Sequence, residues 1–98
     1  MNKKEILNYL KSNKQILKDN FHLAKIGLFG SFAKDLHSTK SDIDLLIEFE
    51  ANTENISDIK DELKILLKSK FDRDVDLCRE KYLKPYIKEH IIRETIYV

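Results

Sequence analysis

Apolar positions recur at helical spacing over residues 3–20, where Ile6, Leu7, Leu10 and Leu17 predict one amphipathic helix. The period then changes. Lys25–Phe29 (KIGLF) is a short apolar run stopped by Gly30, which predicts a first strand, with residues 31–35 as a helical turn. The polar segment LHSTK predicts a loop, and Asp42–Phe49 a second strand. After EANTEN resets the chain, the stripe Ile56, Ile59, Leu63, Leu66 and Leu67 predicts a helix running to Lys70, capped by Asn55 or Ser57. A charged turn, Lys70–Arg73, leads into a third strand, Asp74–Cys78. Pro85 suits the first turn of a last helix, whose apolar face is Ile87, Ile91 and Ile92, and Ile96–Val98 follow as a short apolar tail.

With no internal repeat, low-complexity segment or linker, this pattern predicts a single α/β (α+β) domain over residues 1–98, a small mixed sheet flanked by helices. Its 98 residues suffice for one core, and 42% hydrophobic with 36% charged residues is a globular composition. Lys and Arg (18) nearly balance Asp and Glu (17), unlike a chain that wraps nucleic acid on a basic surface. A single cysteine, Cys78, allows no internal disulfide and sits in no zinc-ligand spacing. The N-terminal stretch has no unbroken apolar core and no run is long enough to span a bilayer, so the expectation is a cytoplasmic protein.

The second strand carries a chemical oddity. Residues i and i+2 of a strand point to one side, so Asp42 and Asp44 project together while Ile43 and Leu45 face the opposite layer. Two like charges held that close repel unless a cation sits between them, and hard divalent cations take such oxygen ligands. The third strand repeats the pattern in DVDLC, with Asp74 and Asp76 on one face. If the two strands are neighbours, three carboxylates meet, as two-metal phosphoryl chemistry requires. A lone Asp-x-Asp matches by chance too often to carry this alone. The turn ahead of it adds weight: Leu28-Phe29-Gly30-Ser31 ends a strand and opens a helical turn, whose backbone amides suit an anion. Gly30 lets a phosphate come close and the Ser31 hydroxyl can donate to it. No P-loop motif is present. Phosphate turn and carboxylates together point to a nucleoside triphosphate.

The stretch GSFAKDLHSTKSDIDLLIEF resembles the Gly-Ser…Ser-Asp-Ile-Asp-Leu signature of the polymerase-β-like nucleotidyltransferases, and with the ending LKPYIKEHIIRETIYV it resembles the minimal nucleotidyltransferase (MNT) antitoxins that pair with HEPN-domain toxins. The resemblance implies that Gly30 and Ser31 hold the triphosphate, with Lys34 as a further nucleotide contact. It makes Asp42 and Asp44 metal ligands, and Asp76 the third carboxylate, acting as base or shared ligand. It implies ATP as substrate, Mg²⁺ (two ions) as cofactor, and transfer of AMP to a tyrosine of a HEPN RNase toxin, which silences it. Where many members have Arg-Gly, this chain has Lys34-Asp35: the lysine keeps a positive charge without the bidentate fork, and Asp35 puts a negative charge in place of a turn glycine. Two other readings stand beside the enzyme: an antitoxin that neutralises by contact alone, and a nucleotidyltransferase acting on a small molecule. Asp74 could replace Asp76. Arg73 reads as structural or solvated, His22, His37 and His90 have no partner spacing, and Tyr82, Tyr86 and Tyr97 read as core or partner contacts.

Overall fold

The structure is a computed structural model that describes residues 1–98. The chain runs α1 (Lys3–Ser12), α2 (Lys14–Phe21), β1 (Leu23–Phe29), α3 (Gly30–Ala33), β2 (Ile43–Phe49), α4 (Ile56–Phe71), β3 (Val75–Arg79), a 3₁₀ turn (Glu80–Tyr82), α5 (Pro85–Glu94) and β4 (Ile96–Tyr97). The strands form one mixed sheet in the order β3-β2-β1-β4. β1 runs antiparallel to both β2 and β4, whereas β2 and β3 are parallel and need the long crossover that α4 supplies.

Several boundaries differ from the sequence expectation. The single helix expected over residues 3–20 is two, broken at Asn13, whose side-chain amide donates to the Tyr9 carbonyl at 2.9 Å and competes with the helical ladder. β1 begins two residues earlier than expected, at Leu23, and β2 begins at Ile43, which leaves Asp42 on the loop just ahead of it. Asp74 likewise precedes β3, which continues to Arg79. Asn55 occupies the N-cap of α4 in a left-handed conformation without a side-chain cap bond. The apolar tail is a strand: Ile96 and Tyr97 pair with Leu28 and Gly27 of β1.

The sheet has two unlike faces. On one, Ile43, Leu45, Ile47 and Phe49 of β2 join Ile6 and Leu10 of α1, Leu17 of α2, and Leu63, Leu67 and Phe71 of α4 in a single buried cluster. Alternation along β2 puts Asp44, Leu46 and Glu48 on the other face. Leu46 is fully buried yet stands outside that cluster. The α5–β4 junction lies against this face. Gly27, directly opposite Leu46 on β1, has no side chain, and a Cβ there would stand 2.5 Å from Thr95 Cγ2 and 3.1 Å from the Ile96 carbonyl. The glycine lets the end of α5 lie close over this face. α5 itself contributes no buried residue.

Candidate active site

The site grows from the end of β1. Gly30 has φ +74°, which L side chains rarely adopt, and a Cβ there would run into the Asp44 carboxylate. Glycine therefore brings the turn and the carboxylate together. α3 starts with no side-chain cap at Phe29. Its other end closes as a Schellman motif: the Leu36 amide donates to the Ser31 carbonyl (2.8 Å), and the Asp35 amide to the Phe32 carbonyl (3.3 Å). Asp35 takes the left-handed position with φ 58°. Asp35 thus holds a left-handed turn position that commonly takes glycine. The extra charge is engaged as well, since Lys3 Nζ lies 3.0 Å from Asp35 Oδ2.

The aspartates line up across the sheet. Phe29 pairs with Asp44, and Asp44 with Asp76, so the third carboxylate stands on the same face one strand over. Burial pushes the Asp44 carboxyl up from its ordinary range, and the charges on Asp76, Asp42 and Glu94 push it the same way. Asp74 is engaged elsewhere: its carboxylate pairs with Lys68 at 2.9 Å, which holds it below the usual range, and its carbonyl accepts from the Ile43 amide at 2.9 Å. Of Asp74 and Asp76, the register sets Asp76 beside Asp44. The oxygen-only donor set and the mutual repulsion at Asp44 suit a hard divalent cation. No three His, Cys, Asp or Glu side chains form a ready-made cage. Mg²⁺ needs none, because it typically binds one or two carboxylates and completes its shell with water and substrate phosphate.

Arg73 and His37 gain specific surroundings here, and Glu94, which the sequence reading passed over, enters with them. Arg73, expected to be structural or solvated, is structural in a specific way. Its Nη1 donates to the carbonyls of Ser38 (3.3 Å), Thr39 (3.1 Å) and Ser41 (2.9 Å), gripping the loop that delivers Asp42, and its guanidinium lies 5.1 Å from the Phe32 ring centroid. His37 stacks on the same ring at 4.1 Å, with its Nδ1 buried and unpartnered. Glu94, the last residue of α5, accepts from Lys34 Nζ at 2.9 Å. Neither partnership has a local sequence signal, since the partners are more than thirty residues apart.

The remaining candidates fall outside the cluster. Cys78 lies on β3 and its thiol is pushed up, by burial and then by Asp76 and Asp44, so it is a poor nucleophile. Tyr82 and Tyr86 are 69% and 78% exposed, which removes them from the core. The largest surface cavity, about 920 Å³, lies away from the chemistry, between α1–α2 and the β1–β4 edge, and contains none of the aspartates.

Comparison with known proteins places this arrangement. The profile of the nucleotidyltransferase domain matches residues 6–98. A candidate protein adenylyltransferase of Methanocaldococcus jannaschii is 36% identical over 97 residues, covering 96% of this chain and 95% of its own. Protein adenylyltransferase MntA of Thermococcus cleftensis is 33% identical over 94 residues, covering 96% and 93%. Among solved structures, a candidate minimal nucleotidyltransferase superposes with a TM-score of 0.82 at 25% identity, over 98% of this chain and 95% of that one. A toxin–antitoxin complex with AMP-PNP gives 0.69 at 26% identity, over 99% and 72%. The MNT antitoxin bound to a tri-AMPylated HEPN toxin of Shewanella oneidensis gives 0.59 at 29% identity, over 91% and 69%. The fold, and the resemblance carried by the Gly-Ser turn and the paired aspartates, are therefore borne out, and the chain belongs to the nucleotidyltransferase-domain family.

Proposed function

We propose that this chain is a single-domain cytoplasmic antitoxin that transfers AMP from ATP to a tyrosine of a HEPN-domain toxin and thereby silences it. The observation that carries the reading is the contact enabled by Gly30, which sets the phosphate turn directly against Asp44, itself paired with Asp76. Relatives named as protein adenylyltransferases, and neighbours solved as toxin–antitoxin complexes with AMP-PNP or an AMPylated HEPN toxin, support the acceptor and the nucleotide.

The chain's residues divide the work. Gly30 and Ser31 receive the β- and γ-phosphates, with backbone amides and a hydroxyl as donors. Asp42 and Asp44 would hold Mg²⁺, with Asp76 as a shared ligand, and the ions would neutralise charge on the phosphates. Asp76 aligns the tyrosine hydroxyl and accepts its proton. The tyrosine oxygen attacks the α-phosphorus in line, forming a phosphodiester as the bond to the β-phosphate breaks, and pyrophosphate leaves along the Gly30–Ser31 turn. Exposed Tyr82 in the 3₁₀ turn and Tyr86 in the first turn of α5 suit a protein partner better than a small acceptor.

Co-expression with the HEPN protein, followed by intact-mass spectrometry of that protein, tests the proposal. The expected result is mass added in steps of one AMP, reduced on the order of 10²–10³-fold by Asp42→Ala/Asp44→Ala. A partner that stays unmodified yet co-purifies and is still silenced would establish contact as the mechanism instead.

A further inference from the structure

Glu94 breaks a local rule. A carboxylate in the last turn of a helix opposes the macrodipole. This one is only 17% exposed on its side chain and adds negative charge beside Asp44, on which the charges of Asp76 and Asp42 already act. Its partners are Lys34, at 2.9 Å, and His90, one turn earlier on α5, at 3.5 Å. Acids placed against local electrostatics and held by one specific cation are characteristic of working sites.

The placement is built rather than incidental. Gly27 admits Thr95 closely over β1, and the Thr95 hydroxyl donates to the Ile91 carbonyl at 2.6 Å, which closes α5 where Glu94 projects. The pairing of Ile96 and Tyr97 with β1 locks the next residues into the sheet. At the other end of the ion pair, Lys34 caps α3, and its amide donates to the Gly30 carbonyl at 3.2 Å. The lysine is thus anchored at its backbone to the phosphate turn and at its ammonium to α5.

We infer that Glu94 is a positioning residue, which holds the Lys34 ammonium at the mouth of the Gly30–Ser31 turn so that it meets the triphosphate without further ordering. The inference rests on the nucleotide-transfer reading above. A free lysine would lose rotamer freedom each time it engaged a phosphate; one already immobilised has lost it on folding. The pair also ties the phosphate turn to α5, the helix that carries the exposed Tyr86.

The test separates this role from the general effect of removing a negative charge. Calorimetric titration with Mg²⁺ and AMP-PNP is run on the wild-type chain, Glu94→Gln, Lys34→Ala and the double variant, each checked for an unchanged melting temperature. Glu94→Gln is expected to weaken binding about 3- to 10-fold in the wild-type background. In the Lys34→Ala background it should leave binding unchanged or slightly tighter, because only the repulsive field is then removed. Glu94→Asp, which keeps the charge on a shorter stem, should recover part of the loss. Equal effects in both backgrounds would overturn the inference. Tighter binding by Glu94→Gln in the wild-type background would do so too, and would make Glu94 a brake on Lys34. Absence of nucleotide binding by the wild-type chain would instead overturn the transfer reading on which the inference stands.

Discussion

The two faces of β2 are built from adjacent residues and obey opposite rules. Ile43, Leu45, Ile47 and Phe49 are covered by three helices and contribute to a continuous core. Asp44 and Glu48, alternating with them, lie on the opposite face, against which the α5–β4 junction sits over Gly27, and where Arg79 and the Lys81 amide hold Glu48. The first face holds the fold together through apolar area removed from water. The second gathers charges that repel one another, and Asp44 is the member the fold makes most uncomfortable. A stable strand can carry an unstable array of carboxylates because the two faces are separated by one residue of phase.

The sharpest way to break that comparison is to truncate each face in turn. Leu45→Ala should cost about 2–5 kcal/mol, read by denaturant unfolding, because it leaves a cavity in the buried cluster. Asp76→Asn, on an exposed residue of the other face, should change stability by less than about 0.5 kcal/mol while abolishing AMP transfer. Equal stability losses would mean that the carboxylate face is structural.

Gly30→Ala lies where the faces meet. The left-handed backbone should cost about 1–2 kcal/mol, and the new methyl must displace the Asp44 carboxylate. A displacement of that kind should lower transfer by roughly 10-fold or more, beyond what the stability loss explains. Activity falling only in step with the folded fraction would argue against a turn built to meet Asp44.

The smallest effect, and the most diagnostic, is on pH. Asp44 and Glu48 share a face and shift in opposite directions. Burial and three neighbouring acids raise Asp44; burial also pushes Glu48 up, but the Arg79 hydrogen bond and the amides of Lys81 and Phe49 outweigh it and hold Glu48 low. An acid raised in the fold keeps its proton longer than in the unfolded chain, so its contribution falls as pH rises from the unfolded value through the folded one. Asp44→Asn should therefore raise the melting temperature slightly at neutral pH, and added Mg²⁺ should narrow the difference. Glu48 contributes stability above its unfolded value that is lost as pH falls through its folded one. Glu48→Gln should thus lower the melting temperature at neutral pH and less so in acid. Parallel responses of the two variants would dissolve the distinction between a strained acid and a satisfied one.

Much of the fold was legible in sequence because it is local. The stripe of α4, the apolar run of β1 and the Asp-Ile-Asp-Leu alternation of β2 each declare their element within a few residues. The helix break at Asn13 was not visible, since a single side chain settles it by bonding back to Tyr9. Nor was β4, whose two residues are too few to show a period. Of the apolar face read at Ile87, Ile91 and Ile92, the structure leaves Ile91 and Ile92 half-buried and Ile87 exposed, and the contribution of Glu94 from the same helix was not visible.

What the sequence determined by itself is the list of elements, the glycine that must turn at residue 30 and the carboxylates that demand a cation. Only the tertiary structure decided that Asp76 and not Asp74 stands beside Asp44, that Arg73 fastens the loop ahead of Asp42, and that Glu94 reaches Lys34. The reason is physical. Periodicity and turn chemistry are properties of neighbours along the chain, whereas strand register and the meeting of residues 34 and 94 follow from which apolar face is buried against which.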